Sequence, residues 1–319
     1  MTWRIAPRYV YALVALVLVT GLGLGFVLRD SSVPTVAARE PDAAMQLLAG
    51  LLARTGGRPS AEELEGFESS NGGTRAAALA RFLRGHSAME SRDWARALAA
   101  FDAGELEERT RLGDYAALYK GRALVALGRP ADAERFLSRV AKDHPDSLVV
   151  RDATVEAARA AVAAGKLERA GEVLTDLVAA NDGEALVIAG DLASGRGDTS
   201  GAIALYRRAY FLDPAAPGAA SAPAQLRALG VDAATMAGSF EEMEARAARL
   251  YAAEQWRPAA DAYGRLLAAH PTGGNRDELQ LKRGAAAVAA RDLATAEASL
   301  PNVSSRNPDR HAESLYHLA

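Results

Sequence analysis

The chain has 319 residues and a formal net charge of −3 at pH 7, from 37 Lys and Arg against 40 Asp and Glu. Half of it is hydrophobic, only 6% is aromatic, and it has no cysteine. These values exclude disulfides, thiolate metal sites, a cysteine nucleophile and a lipid-modified N-terminal cysteine, and the scattered basic residues speak against a nucleic-acid binder.

Alanine and leucine supply most of the apolar content, which favours thin, closely packed helices over a β-sandwich. The first 28 residues read as a membrane segment: Arg4 and Arg8 precede the uncharged stretch "YVYALVALVLVTGLGLGFVL" over residues 9–28. About 20 apolar helical residues cross a hydrocarbon core, and arginines ahead of the span hold the N-terminus in the cytoplasm. We therefore expect an inner-membrane anchor with the remaining chain in the periplasm or outside. The alternative is a cleaved signal sequence, with "VAA" at Val36 to Ala38 as its small-residue site, which leaves an exported soluble protein. Gly21 and Gly25 have the small-xxx-small spacing that lets membrane helices approach closely.

Residues 29–42 are polar and proline-containing and read as a linker. Helical segments follow over 43–74, among them "SAEELEGF", where Ser60 and Glu63 form a capping-box pattern.

From residue 75 to 319 a period emerges. Alanines at Ala97, Ala133, Ala170, Ala202, Ala259 and Ala296 are separated by 36, 37, 32, 57 and 37 residues. Glycines stand twelve residues before four of them, at Gly85, Gly121, Gly190 and Gly284. Turn glycines fall at Gly128, Gly165 and Gly197, and prolines twelve residues after an alanine at Pro145, Pro214, Pro271 and Pro308. With the alanine as position 20, the glycine at 8 and the proline at 32, this pattern resembles the tetratricopeptide repeat, a pair of antiparallel helices about 34 residues long. The small residues mark the tight contact between the helices of a pair, and the proline ends the second helix. Trp94 and Trp256 open second helices. The long 57-residue interval contains "SAPAQLRALGVDAATMAGSF", an insertion expected to hold an extra helix and a loop. The fold expected is all-α, a right-handed solenoid or superhelix of helix pairs, with one transmembrane helix in front.

No catalytic residue, cofactor or metal site is expected. His144 and His270 directly precede repeat-ending prolines, where a cation caps a helix C-terminus; His311 and His317 are six apart, so they point to different faces. Glu313 and Ser314 fall on an ordinary amphipathic helix at the start of a seventh repeat. Such solenoids offer a concave face to a protein or peptide ligand, lined by positions 5 and 9 of first helices. Here those positions are Phe82 and His86, Leu118 and Arg122, Val187 and Asp191. They lack the basic and amide cluster with which one subset of these repeats holds chaperone tails.

The stretches "RLGDYAALYKGRALVALGRPADAERFLSRVAKDHPDS", "GDLASGRGDTSGAIALYRRAYFLDPAAPGA" and "NPDRHAESLYHLA" resemble the helical N-terminal region of soluble lytic murein transglycosylases. That resemblance covers residues 75 to 319. It implies a non-catalytic superhelical platform, peptidoglycan as a further ligand, and a C-terminal lysozyme-like domain of the same protein as partner. On this view the chain is not itself an enzyme, and Leu315, Tyr316 and Leu318 form a first-helix face awaiting a second helix beyond Ala319. The alternative is a free-standing envelope scaffold for protein–protein interactions.

Overall fold

Alanine-rich amphipathic segments bury their apolar stripes by packing helix on helix. The computed structural model describes residues 43–318, and every regular element among them is helical. The expected membrane span at 9–28 and the linker at 29–42 lie outside the described residues. Among the described residues no helix is long and apolar enough to cross a membrane. Two compact units divide between Gly165 and Lys166, inside the span 75–319 grouped above as one domain.

The first unit runs through α1 (Ala43–Arg54), α2 (Ala61–Ser70), α3 (Arg75–Glu90), α4 (Trp94–Phe101), α5 (Glu105–Arg109), α6 (Gly113–Ala126), α7 (Pro130–Asp143) and α8 (Val150–Ala163). The capping box is in place at the start of α2: Ser60 Oγ accepts from Glu63 N at 3.1 Å, and Glu63 Oε2 accepts from Ser60 N at 2.7 Å. Neighbouring helices pack in sequence, α3 on α4, α4 on α6, α6 on α7 and α7 on α8. Phe82 meets Phe101 edge-on at 5.6 Å, and Phe101 stacks on Tyr119 at 5.3 Å, which ties three helices together.

The second unit comprises α9 (Leu167–Val173), α10 (Thr175–Ala179), α11 (Gly183–Gly195), α12 (Thr199–Leu212), α13 (Ala222–Ala228), α14 (Phe240–Ala252), α15 (Trp256–Ala269), α16 (Arg276–Ala289), α17 (Leu293–Ser299) and α18 (Pro308–Leu318). Here α11 packs on α12, α14 on α15, α15 on α16, and α16 on α17 and α18. The long interval between Ala202 and Ala259 holds a short 3-10 turn at Ala219–Ser221, helix α13 and an irregular loop.

The recurring positions have a common geometry. All six position-20 alanines are buried. A Cβ added at the position-8 glycines would collide with the residue four beyond the alanine. At Gly85 it would lie 2.7 Å from Phe101 Cζ; at Gly121 and Gly284 it would run into Leu137 and Leu300; at Gly190 it would lie 2.7 Å from Tyr206 Cδ1. Where position 8 is not glycine it is Ala158 or Ala247, both fully buried. A pair of small residues thus accommodates one large side chain from the partner helix, the packing a close crossing requires.

Position 15 is equally regular. Arg92, Gly128, Gly165, Gly197, Glu254 and Arg291 all have φ between 56° and 80°. This left-handed residue ends the first helix, and in five copies the next N–H returns to a carbonyl of its last turn, as from Asp93 to Ala88 at 2.8 Å and from Asp292 to Ala287 at 2.8 Å. Asp93, Asp198 and Asp292 then cap the second helix by accepting from Arg96, Gly201 and Thr295 N. Two residues therefore reverse the chain. The second helices α7, α12 and α15 stop at His144, Asp213 and His270, each directly before its proline. Pro308 departs from expectation: the second helix has already ended at Ser299, and Pro308 instead opens α18.

Candidate interaction pocket

The insertion does more than lengthen the chain. After α13 the backbone turns at Asp232, whose Oδ1 accepts from Ala234 N at 3.0 Å, and runs irregularly to Ser239. Gly238 lets this loop lie flat, since a Cβ there would meet Phe211 Cζ at 2.8 Å and Met243 Cγ at 2.9 Å. Ser239 then caps α14 in a second capping box, with Ser239 Oγ accepting from Glu242 N at 3.2 Å and Glu242 Oε2 accepting from Ser239 N at 2.9 Å. Arg207 on α12 donates to Ala237 O at 2.7 Å and to Glu242 Oε2 at 2.6 Å, and His270 Nε2 bonds Gly238 O at 3.0 Å. The loop is pinned at both sides.

Between this loop, the end of α12 and the faces of α14 and α15 lies a cavity of about 560 Å³. Phe211, Met236 and Met243 give it apolar walls, while Ala234, Ala268 and Ala269 form an exposed rim. Two cations enter it. Arg246 on α14 stands 3.7 Å over the Tyr210 ring and donates to Tyr210 O at 2.6 Å. Arg265 on α15 donates to the Tyr210 hydroxyl at 2.9 Å. Neither forms an ion pair with a carboxylate among the described residues. Burial lowers the Arg246 pKa, and the charge of Arg265 lowers it further against the opposing influence of Tyr210. Two guanidiniums on one tyrosine, without a counter-ion, make a region of unbalanced positive charge over an apolar floor. Glu242, four residues before Arg246, is engaged by Arg207 and by the Ser239 N–H.

The residues expected on an open concave face are placed differently. Phe82, Leu118 and Val187 are buried, and His86 is only 8% exposed, its ring edge-on to Tyr119 at 5.6 Å. Arg122 is committed to a largely buried pair, donating from Nε to Glu156 Oε1 at 2.8 Å. The cause is packing of successive first helices, α3 on α6 and α6 on α8, which turns positions 5 and 9 toward the neighbouring copy. Asp191 alone of the six is exposed, and it accepts from the Tyr206 hydroxyl at 2.7 Å. Glu313 is exposed while Ser314 is buried and donates to His311 O at 2.7 Å, so the two do not form a common site. Among the described residues no cluster of His, Asp and Glu is arranged to hold a metal ion. The pocket itself had faint sequence signals: the 57-residue interval and the Ser239–Glu242 capping pattern.

A tetratricopeptide-repeat family model matches residues 82–147 and 155–220, so over these two stretches the chain is similar to that family. The copies around Ala259 and Ala296 lie beyond both stretches and keep the same small-residue contacts. No curated protein matches the chain.

Proposed function

We propose that the protein is a membrane-tethered helical-repeat scaffold that holds protein or peptide partners in the cell envelope. Tetratricopeptide repeats commonly bind such partners, and the chain carries helical repeats of this kind. The observation that carries the reading is the insertion-built pocket, a concave apolar surface with two arginines that have no carboxylate partner among the described residues. The envelope location rests on Arg4, Arg8 and the uncharged residues 9–28, with the repeats outside the cytoplasm. The chain on its own cleaves no glycan.

A second reading makes it the superhelical platform of a lytic transglycosylase. It is favoured by the order of helical stretches quoted above, and its partner is then a catalytic domain of the same protein. Reading the gene past the Ala319 codon separates the two.

The scaffold reading is tested by photo-crosslinking in the native cell. A benzophenone amino acid replaces Ala234 at the pocket rim, and, as a control, Glu297 on the outer side of α17. Discrete protein adducts in the membrane fraction from the Ala234 position are expected. Adducts from neither position, in a chain that remains folded, would sink the reading.

A further inference from the structure

We infer that the pocket between α12, α14 and α15 binds an internal segment of a partner protein in which an Asp or Glu side chain stands beside a large apolar one. This deepens the scaffold reading and rests on it.

Three observations converge. The cavity, at about 560 Å³, falls within the range of pockets that enclose a compact ligand, here two or three side chains. Its two cations lack carboxylate partners among the described residues, whereas three part-buried arginines elsewhere are paired, Arg84 with Glu68 at 2.7 Å, Arg122 with Glu156 at 2.7 Å and Arg207 with Glu242 at 2.6 Å, and part-buried Arg208 bonds Asn181 Oδ1 and Val178 O instead. Arg246 is held against the Tyr210 ring and carbonyl, so its orientation is fixed before any ligand arrives, which reduces the ordering cost of binding. An arriving carboxylate supplies the missing counter-charge in a partly desolvated place, where a charge-assisted hydrogen bond is strong.

The walls decide against a bare phosphate or a nucleic-acid backbone. Phe211, Met236 and Met243 surround the arginines with apolar surface, and methionine adapts to differing apolar shapes. A polyanion leaves that surface uncovered; an acidic residue next to Phe, Leu or Met covers it. The site also differs from the ligand-binding positions of an ordinary repeat, because one wall is the inserted loop and its arginines sit at positions 7 and 26 of the motif.

The test uses the full chain, purified in mild detergent, as bait for a phage library of random twelve-residue peptides fused through their C-termini to the coat protein, so that no terminal carboxylate is offered. Selected peptides are expected to converge on an acidic residue adjacent to a large apolar one. Synthesised as N-acetyl, C-amide peptides, they should weaken at least tenfold when the acid becomes Asn or Gln. Arg265→Gln, at an exposed position, should produce a loss of the same order, and Arg246→Met a larger one. Should Arg246→Met lose its helical signal, Arg265→Gln alone carries the test. Peptides without an acid, peptides indifferent to both arginine variants, or no binder at all would overturn the assignment. So would a peptide that binds only once its C-terminal amide is replaced by a free acid. Binders indifferent to the arginines, together with persistent Ala234 crosslinks, would leave the scaffold reading standing while the assignment of the pocket fell.

Discussion

The Tyr206 ring lies directly over Gly190, and its hydroxyl donates to Asp191 Oδ1 at 2.7 Å, so one residue of α12 fills the space left by one residue of α11 and bonds the next. The same relationship between positions 8 and 24 recurs at Gly85 and Phe101, Gly121 and Leu137, and Gly284 and Leu300. Glycine at position 8 is the space the large side chain occupies.

Substituting Gly190→Leu is therefore expected to destabilise the protein by about 1–3 kcal/mol through overpacking against Tyr206. Combining Gly190→Ala with Tyr206→Leu should cost less than the sum of the two single changes, since the smaller partner yields room for the added methyl. Thermal melts of the four proteins check this. Additive losses would mean that the two residues do not share the contact.

The left-handed positions give a prediction of opposite sign. Arg92, Glu254 and Arg291 hold φ values of 60°, 56° and 57°, where a Cβ is strained and glycine is not. Replacing any of them by Gly is expected to stabilise by about 0.5–1 kcal/mol, while Gly128→Ala should destabilise by a similar amount. Chemical denaturation of single variants is sufficient. A loss of stability in all three glycine variants would contradict the turn geometry.

His86 makes stability depend on pH. Burial lowers its pKa below the usual 6.5, outweighing the opposing charge of Glu90. The unfolded chain then takes up a proton before the folded one does, so stability falls as pH drops below about 6.5 and levels off below the folded-state pKa. Wild type should lose more stability between pH 7.5 and pH 5.5 than His86→Leu does. Equal losses would place the pH sensitivity in other groups.

Gly238 tests the pocket's construction. A side chain there meets Phe211 and Met243, so Gly238→Val should lift the loop from α12 with only a modest fall in melting temperature. The bond from His270 Nε2 to Gly238 O should be lost with it, read as a shift of the His270 ring resonances by NMR. An unmoved His270 signal would show that the loop is held elsewhere.

Much of the fold was legible because the contacts that matter need small residues at fixed spacing. Ala97, Ala133, Ala170, Ala202, Ala259 and Ala296 are the places where no larger side chain fits, and such places survive in a sequence as a period. The turns were half legible. Gly128, Gly165 and Gly197 announce a left-handed residue, but Arg92, Glu254 and Arg291 adopt the same conformation with nothing in their identity to show it. The burial of positions 5 and 9 was not legible, because spacing does not tell which side of a first helix the next copy covers; Phe82 is buried by its contacts with Phe101 and Tyr119. The pocket was the least legible part. Its loop has no periodicity, and Arg246 and Arg265, nineteen residues apart, look like two ordinary surface cations until Tyr210 is seen between them.

The most direct test of the account is hydrogen exchange on the full chain, with and without the partner that crosslinks at Ala234. The account predicts slowed exchange in the 229–239 loop and the adjoining ends of α12, α14 and α15, abolished by Arg265→Gln. Unchanged exchange throughout the second unit, or slowing produced by peptidoglycan fragments and by no protein, would contradict it.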